Sequence, residues 1–201
     1  MLNNQLLPIA YLAPIGYYAI LLQCKNYMFE YHENFIKQSI RNRCEILAAN
    51  GKLNLIIPRK HKANIKTKIS EIKISYSQDW QKIHWKSIES AYNSSPFFEF
   101  YKNKLKPYYF KEEIYLIDFN KKIQFEILKM INEKIEHKTS SKYNKKGNFI
   151  DLRSSEFKSK IMVKYDQVFI EKHGFISNLS ILDLLFNKGP ETSDYLHNIQ
   201  I

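Results

Sequence analysis

Apolar and polar positions change period several times along this chain. Residues 5–11, QLLPIAY, are almost continuously apolar, the pattern of a strand buried on both faces. Pro14 suits the first turn of a helix that runs to about Cys24. Tyr27–Glu30 repeats the strand pattern. Strand, helix and strand at this spacing predict a parallel βαβ unit. Ligands gather at the C-terminal strand ends of such units, here near Tyr11 and residues 30–32.

Residues 31–43 are polar and irregular. CEILAA and LNLIIP then flank Asn50-Gly51, which predicts a hairpin closed by a type I′ turn. Residues 59–73 read as a basic loop leading into a half-exposed strand in which Ile72, Ile74 and Tyr76 alternate. Helical spacing follows three times. The first helix is capped by Asp79 and runs through Tyr92, with Trp80, Ile83, Ile88 and Ala91 inward. The second opens at Ser94-Ser95-Pro96 and carries Phe97, Phe98, Tyr101, Leu105 and Tyr108. The third spans about residues 120–135 on Ile123, Ile127, Leu128 and Ile131. A polar loop at 138–148 and short strands within 149–176 lead to NLSILDLLFNKGP. That segment predicts a helix capped by Asn178 or Ser180 and stopped by Gly189-Pro190. The expected fold is α/β: one domain over residues 1–201 with an N-terminal βαβ unit, a β-hairpin and a helical middle. An α+β arrangement is the rival.

Composition narrows the classes. The 201 residues are 44% hydrophobic and 25% charged, which excludes wholesale disorder. The formal charge of +11 suggests nucleic acid until it is divided by residue type. Twenty-seven of the 31 basic residues are Lys and lie dispersed, the pattern of a solvated surface. Arg, the usual fork for phosphate, occurs only at Arg41, Arg43, Arg59 and Arg153, and two of these share one tripeptide. Cys24 and Cys44 form neither a disulfide framework nor a metal spacing and read as small buried residues. The apolar run 6–22 ends in LLQC, a lipoprotein-like hint. No Lys or Arg precedes it, Gln23 stands where a small residue is needed, and Pro8, Pro14 and Gly16 break a spanning helix. A cytoplasmic chain without a transmembrane segment is the expectation.

No Gly-rich phosphate loop, HExxH or GxSxG is present. The histidines at 32, 61, 84, 137, 173 and 197 show no metal-ligand spacing, so neither metal nor cofactor is expected. The densest polar group is Glu30, His32, Asn34, Lys37, Gln38, Arg41, Asn42 and Arg43. His32 or Glu30 is the candidate base. Arg41, Asn42, Arg43, Lys37 and Gln38 are candidates to hold an anion or an oxyanion. Equally, Arg and Asn at these positions brace an irregular loop by bonding its carbonyls. Further candidates are Tyr11, His84, Trp85, Tyr92 and Ser95, and near the C-terminus Gln167, Asp183 and Asn187. Each has a structural alternative: core packing for the rings, capping for Ser95 and Asp183. Asp183 is also a possible partner of Arg41 or Arg43. A site reading calls for one cleft lined by Tyr11, His32, Arg41, His84 and Asp183.

Several blocks, in this order, resemble the WbqC-like family of bacterial proteins. They are LLPIAYLAPIGYY, ENFIKQSIRNRC, NGKLNLIIP, IHWKSIESAYNSSPFF, YDQVF and GFISNLSILDLLFNKGP. Many relatives carry paired acids after the second strand, where this chain has Tyr31-His32; Glu30 and His32 are the stand-ins. The resemblance implies a place in surface-polysaccharide (O-antigen) biosynthesis. It implies an acyl- or aminoacyl-transferase whose substrate is an activated amino sugar, either a sugar nucleotide or a lipid-linked sugar. The alternatives are a non-catalytic ligand- or partner-binding protein of a glycan pathway, or a tRNA-binding module. Were the donor an aminoacyl-tRNA, Lys60, Lys62, Lys66 and Lys68 would be its expected contacts.

Overall fold

The structure, a computed structural model, describes residues 4–60, 66–145, 147–158 and 162–200. The fold is mixed α/β. Strand β1 (Gln5–Pro8), helix α1 (Ile15–Gln23) and strand β2 (Tyr27–Glu30) form the expected parallel unit, with Gln5 opposite Tyr27 and Pro8 opposite Glu30. A two-residue strand β5 (Ile150–Asp151) pairs on the other side of β1 and completes a parallel sheet in the order β2-β1-β5. Every residue of β1 is buried, as a central parallel strand requires. The strand stops at Pro8 rather than Tyr11, because its neighbours end there. The backbone N–H of Tyr11 goes instead to the Ile40 carbonyl, 2.8 Å away.

Strands β3 (Arg43–Ala48) and β4 (Gly51–Ile56) form the antiparallel hairpin. Its turn differs from expectation. Ala48 pairs with Gly51, so Ala49 and Asn50 make the loop. Gly51 takes a positive φ of 106°, whereas neither Ala49 nor Asn50 does. A type I′ turn needs both. The left-handed residue follows the loop, as in a glycine bulge, and bends the hairpin after the turn.

Helices α2 (Trp80–Tyr92), α3 (Phe98–Leu105) and α4 (Leu116–Met130) make the middle. The inward face of α2 includes His84 and Trp85, while Ile83 is 58% exposed. Asp79 precedes α2 without a side-chain capping bond. Helix α4 begins four residues before the predicted start, because Leu116, Ile117 and Phe119 extend its buried face. It ends at Met130, where Asn132 adopts the left-handed conformation that closes a helix. Tyr109, not Tyr108, is buried. Ile72 and Ile74 are buried and Lys73 exposed, but only Lys73 and Ile74 pair, each in an isolated bridge.

After β5, a short helix α5 (Ile170–His173) precedes α6 (Ile181–Lys188) and α7 (Thr192–Asn198). Helix α6 is capped by Ser180, whose Oγ accepts from the Leu182 N–H and donates to the Leu12 carbonyl. Sequence periodicity did not foresee α7. One continuous apolar cluster joins β1, α1, the hairpin and α2, α3, α4 and α6. Among the described residues, no helix is long and apolar enough to cross a membrane. His61 and Lys62 lie outside the described residues.

Candidate functional site

The Arg41-Asn42-Arg43 tripeptide divides its labour. Arg41, 1% exposed, forks onto Glu33, with Nε 2.8 Å from Oε1 and Nη2 2.6 Å from Oε2. Its Nη2 also donates to the Arg153 carbonyl, and its own carbonyl accepts from Asn120 Nδ2. Asn42 donates through Nδ2 to the Ile57 carbonyl, 2.9 Å away. These two residues are braces. Arg43 differs. Its backbone belongs to the β3–β4 ladder opposite Ile56, whereas its half-buried guanidinium makes no ion pair or hydrogen bond among the described residues.

Arg43 lines a cavity of about 450 Å³, within the range of small-molecule sites. Gln38, Arg41, Arg153, Ser155 and Asn178 share its wall. Its other charges are satisfied. Arg41 is paired with Glu33, and Arg153 is forked onto Asp151 at 2.9 and 2.6 Å. Glu45 is paired with Lys52 and Glu156 with Lys158. The unpaired charge of this lining is therefore the Arg43 cation. Arg153 adds a buried Nη1 with no hydrogen-bond acceptor among the described residues, 3.6 Å from Glu30 Oε2.

Among the described residues, three of the five non-glycine residues with positive φ line the same cavity: Leu12, Gln38 and Asn178. Such conformations persist only where surrounding structure enforces them, and they cluster at functional sites. The enforcement is visible. Asn178 Oδ1 accepts the Gly16 N–H at 2.9 Å. A Cβ on Gly16 would stand 1.9 Å from the Phe157 carbonyl oxygen, so only glycine lets α1 approach the segment that follows Arg153.

Glu30 and His32 form a neighbouring network. Glu30 is fully buried and accepts from the His32 N–H, Ser140 Oγ and the Asn144 N–H at 2.7–2.9 Å. Burial alone would raise its pKa, but those donors outweigh it and hold the carboxyl below its ordinary value. Both oxygens are occupied, so Glu30 is a poor base. His32 Nε2 lies 3.1 Å from the Ser140 carbonyl. That acceptor fixes the ring proton on Nε2 and leaves Nδ1 as the basic nitrogen.

The forecast single cleft is not formed. Tyr11 and His84 bond to each other in the core, with Tyr11 Oη 3.0 Å from His84 Nδ1 and 2.8 Å from Tyr109 Oη. Burial lowers the His84 pKa to about 4, which keeps the ring neutral. Trp85 packs on Phe98 and Tyr109. Asp183 pairs with neither Arg41 nor Arg43. It accepts from Tyr165 Oη at 2.6 Å and Gln167 Nε2 at 2.7 Å. The Tyr92 hydroxyl lies close enough to influence Asp183, outside hydrogen-bonding geometry. Ser95 Oγ donates to the Tyr92 carbonyl, so it is not an N-cap, and Asn187 Nδ2 donates to the Asp183 carbonyl. Lys37 is exposed and lines none of the cavities described. Glu33, Asp151 and Arg153 escaped the sequence reading. The lone Arg153 was the available signal, being one of only four Arg in the chain.

Asp183 titrates in a characteristic direction. Burial raises its pKa against the opposing donors Tyr165 and Gln167. A raised carboxyl favours folding most below the unfolded value, and that contribution fades as pH rises through the folded value. Asp183→Asn keeps an acceptor for Tyr165 and removes the charge. Urea midpoints should therefore favour the variant at neutral pH, with the advantage shrinking as pH falls toward 3.8, the ordinary aspartate value. An advantage that grows with acidification would refute this assignment.

The chain was compared with known proteins. The family model described as "WbqC-like protein family" matches residues 10–153 and 148–195. A protein of Mycobacterium tuberculosis described as "Uncharacterized protein Rv1507c" is 24% identical over 212 residues, covering 90% of this chain and 91% of that protein. No solved structure matches.

Proposed function

This chain belongs to the WbqC-like protein family, and from that premise we propose that it is an acyl- or aminoacyl-transferase whose substrate is an activated amino sugar. The observation that carries this reading is the Arg43 guanidinium, unpaired among the described residues, in a cavity whose other described charges are matched. A fixed cation in a half-buried wall selects a phosphate or carboxylate. The phosphate of an activated sugar supplies one. Seryl and amide groups beside it, from Ser155, Gln38 and Asn178, suit a sugar's hydroxyls.

In the transfer, the amino nitrogen of the sugar attacks the donor's activated carbonyl carbon. The C–N bond forms, the carbonyl electrons move onto oxygen, and the oxyanion then collapses and expels the donor's leaving oxygen or sulfur. The nitrogen's proton goes to a base; the candidate is His32, which lies outside the cavity wall in the Glu30 network that borders it at Arg153. Arg43 holds the anionic group and positions the nitrogen.

Mass spectrometry of the amino sugar nucleotide incubated with an acyl thioester or an aminoacyl-tRNA tests this. Acylated product is expected from the wild type. A base of this kind contributes about 10²–10⁴-fold in rate, and His32→Ala should lose that much with KM little changed. Full activity in His32→Ala would remove the base. A second reading, ligand binding without chemistry, is favoured by the absence of histidine from the cavity wall among the described residues. Binding of the sugar nucleotide without turnover of either donor would decide for it.

A further inference from the structure

A second cavity, of about 350 Å³, opens where β1 and β2 begin, and it shares no lining residue with the Arg43 cavity. Its wall is built from amides and rings: Gln5, Asn26, Asn144, Asn148, Tyr27 and Phe149. Among the described residues, the single ionic side chain in it is Lys138. This composition differs from the Arg-lined cleft and calls for a different ligand.

Gln5 is 3% exposed, yet its Oε1 accepts no hydrogen bond among the described residues. An orphaned buried carbonyl of this kind is costly and calls for a donor. The backbone around it is fully engaged. The Gln5 N–H donates to the Asn26 carbonyl at 2.9 Å, and the Ile150 N–H donates to the Asn4 carbonyl at 2.8 Å. The side-chain amides of Asn26 and Asn148 are exposed and make no hydrogen bond among the described residues. Each therefore offers both a donor and an acceptor at the rim. Phe149 is set against the backbone of Gly147, where a Cβ would meet the ring 2.4 Å away.

Unengaged amides beside aromatic faces fit a ligand that carries hydroxyls around its edge and C–H groups on its face. Hydroxyls donate to the Asn carbonyls and accept from the Asn amino groups. The C–H face lies on Phe149 or Tyr27. A phosphate or carboxylate would meet mostly neutral dipoles here. We infer that this second cleft binds an uncharged sugar ring, separately from the activated sugar proposed for the Arg43 cavity.

The test uses the full chain, labelled with ¹⁵N, titrated with N-acetylglucosamine and with methyl glucoside to about 50 mM, a range that detects weak carbohydrate affinities. Saturable shifts are expected at Gln5, Asn26, Met28, Asn148 and Phe149. The double variant Asn26→Ala, Asn148→Ala removes only exposed amides. It should keep the wild-type spectrum elsewhere and bind about tenfold more weakly. Arg43→Ala should leave these shifts unchanged, which separates this site from the transferase reading. No shifts at about 50 mM, shifts confined to the Arg43 cavity, or undiminished binding by the double variant would each overturn the inference.

Discussion

Arg43→Ala should bind a uridine diphosphate amino sugar about 10–100-fold more weakly than the wild type, the value of one or two charge-assisted hydrogen bonds. The variant should stay folded, with a Tm within about 2 °C of the wild type. The separation follows from how Arg43 is built in. Its backbone pairs with Ile56, and that pairing does not depend on the side chain. Its guanidinium pairs with no carboxylate among the described residues, so truncation strands no described acid. Arg43→Lys keeps the charge but loses the fork, and it should recover only part of the affinity. Isothermal titration at low salt measures both. Wild-type affinity in Arg43→Ala would mean that the cavity takes its ligand by other means.

Arg41→Ala should behave in the opposite way and fail as a folded protein. The Arg41–Glu33 pair is buried on both sides, with side-chain exposures of 1% and 5%. Removing one partner of such a pair strands the other charge and costs about 3–5 kcal/mol, a large fraction of a domain's stability. Burial already pushes the Glu33 pKa up despite the Arg41 guanidinium beside it, so its carboxylate depends on that neighbour. The loss spreads further, because Arg41 also holds the Arg153 carbonyl and accepts from Asn120 on α4. Glu33→Ala should be as damaging. The double variant Arg41→Met, Glu33→Leu leaves no stranded charge and should recover much of the stability. Urea denaturation of the four proteins measures this. Equal midpoints for Arg41→Ala and the wild type would show that the pair braces nothing.

The contrast between these neighbouring arginines marks where sequence reasoning ran out. Local signals carried the elements well. Tyr27–Glu30 and the α1 boundaries followed from apolar runs and Pro14, because neighbours in sequence decide them. The hairpin was legible, but its turn was not. The glycine signal allows either a paired left-handed turn or a bulge, and the ladder register chooses between them. Pairings distant in sequence were illegible. Glu33 lies in the same polar block as Arg41, yet nothing in their spacing says that they meet. Arg153, held by Asp151, and Asn178 reach the cavity only because β5 joins β1 and because Gly16 admits the Phe157 carbonyl. His84 and Tyr11 misled for the reverse reason. Polar atoms on aromatic rings suggest chemistry until a buried partner such as Tyr109 is found for them.

The central claim is that Arg43 receives the anionic group of the ligand. The most direct measurement is a crystal structure of the protein soaked with a uridine diphosphate amino sugar. A phosphate oxygen within hydrogen-bonding distance of the Arg43 guanidinium, with the sugar reaching toward Gln38 and Asn178, is the expected result. A nucleotide bound with its phosphates away from Arg43, or an unchanged Arg43 cavity at saturating ligand, would contradict it.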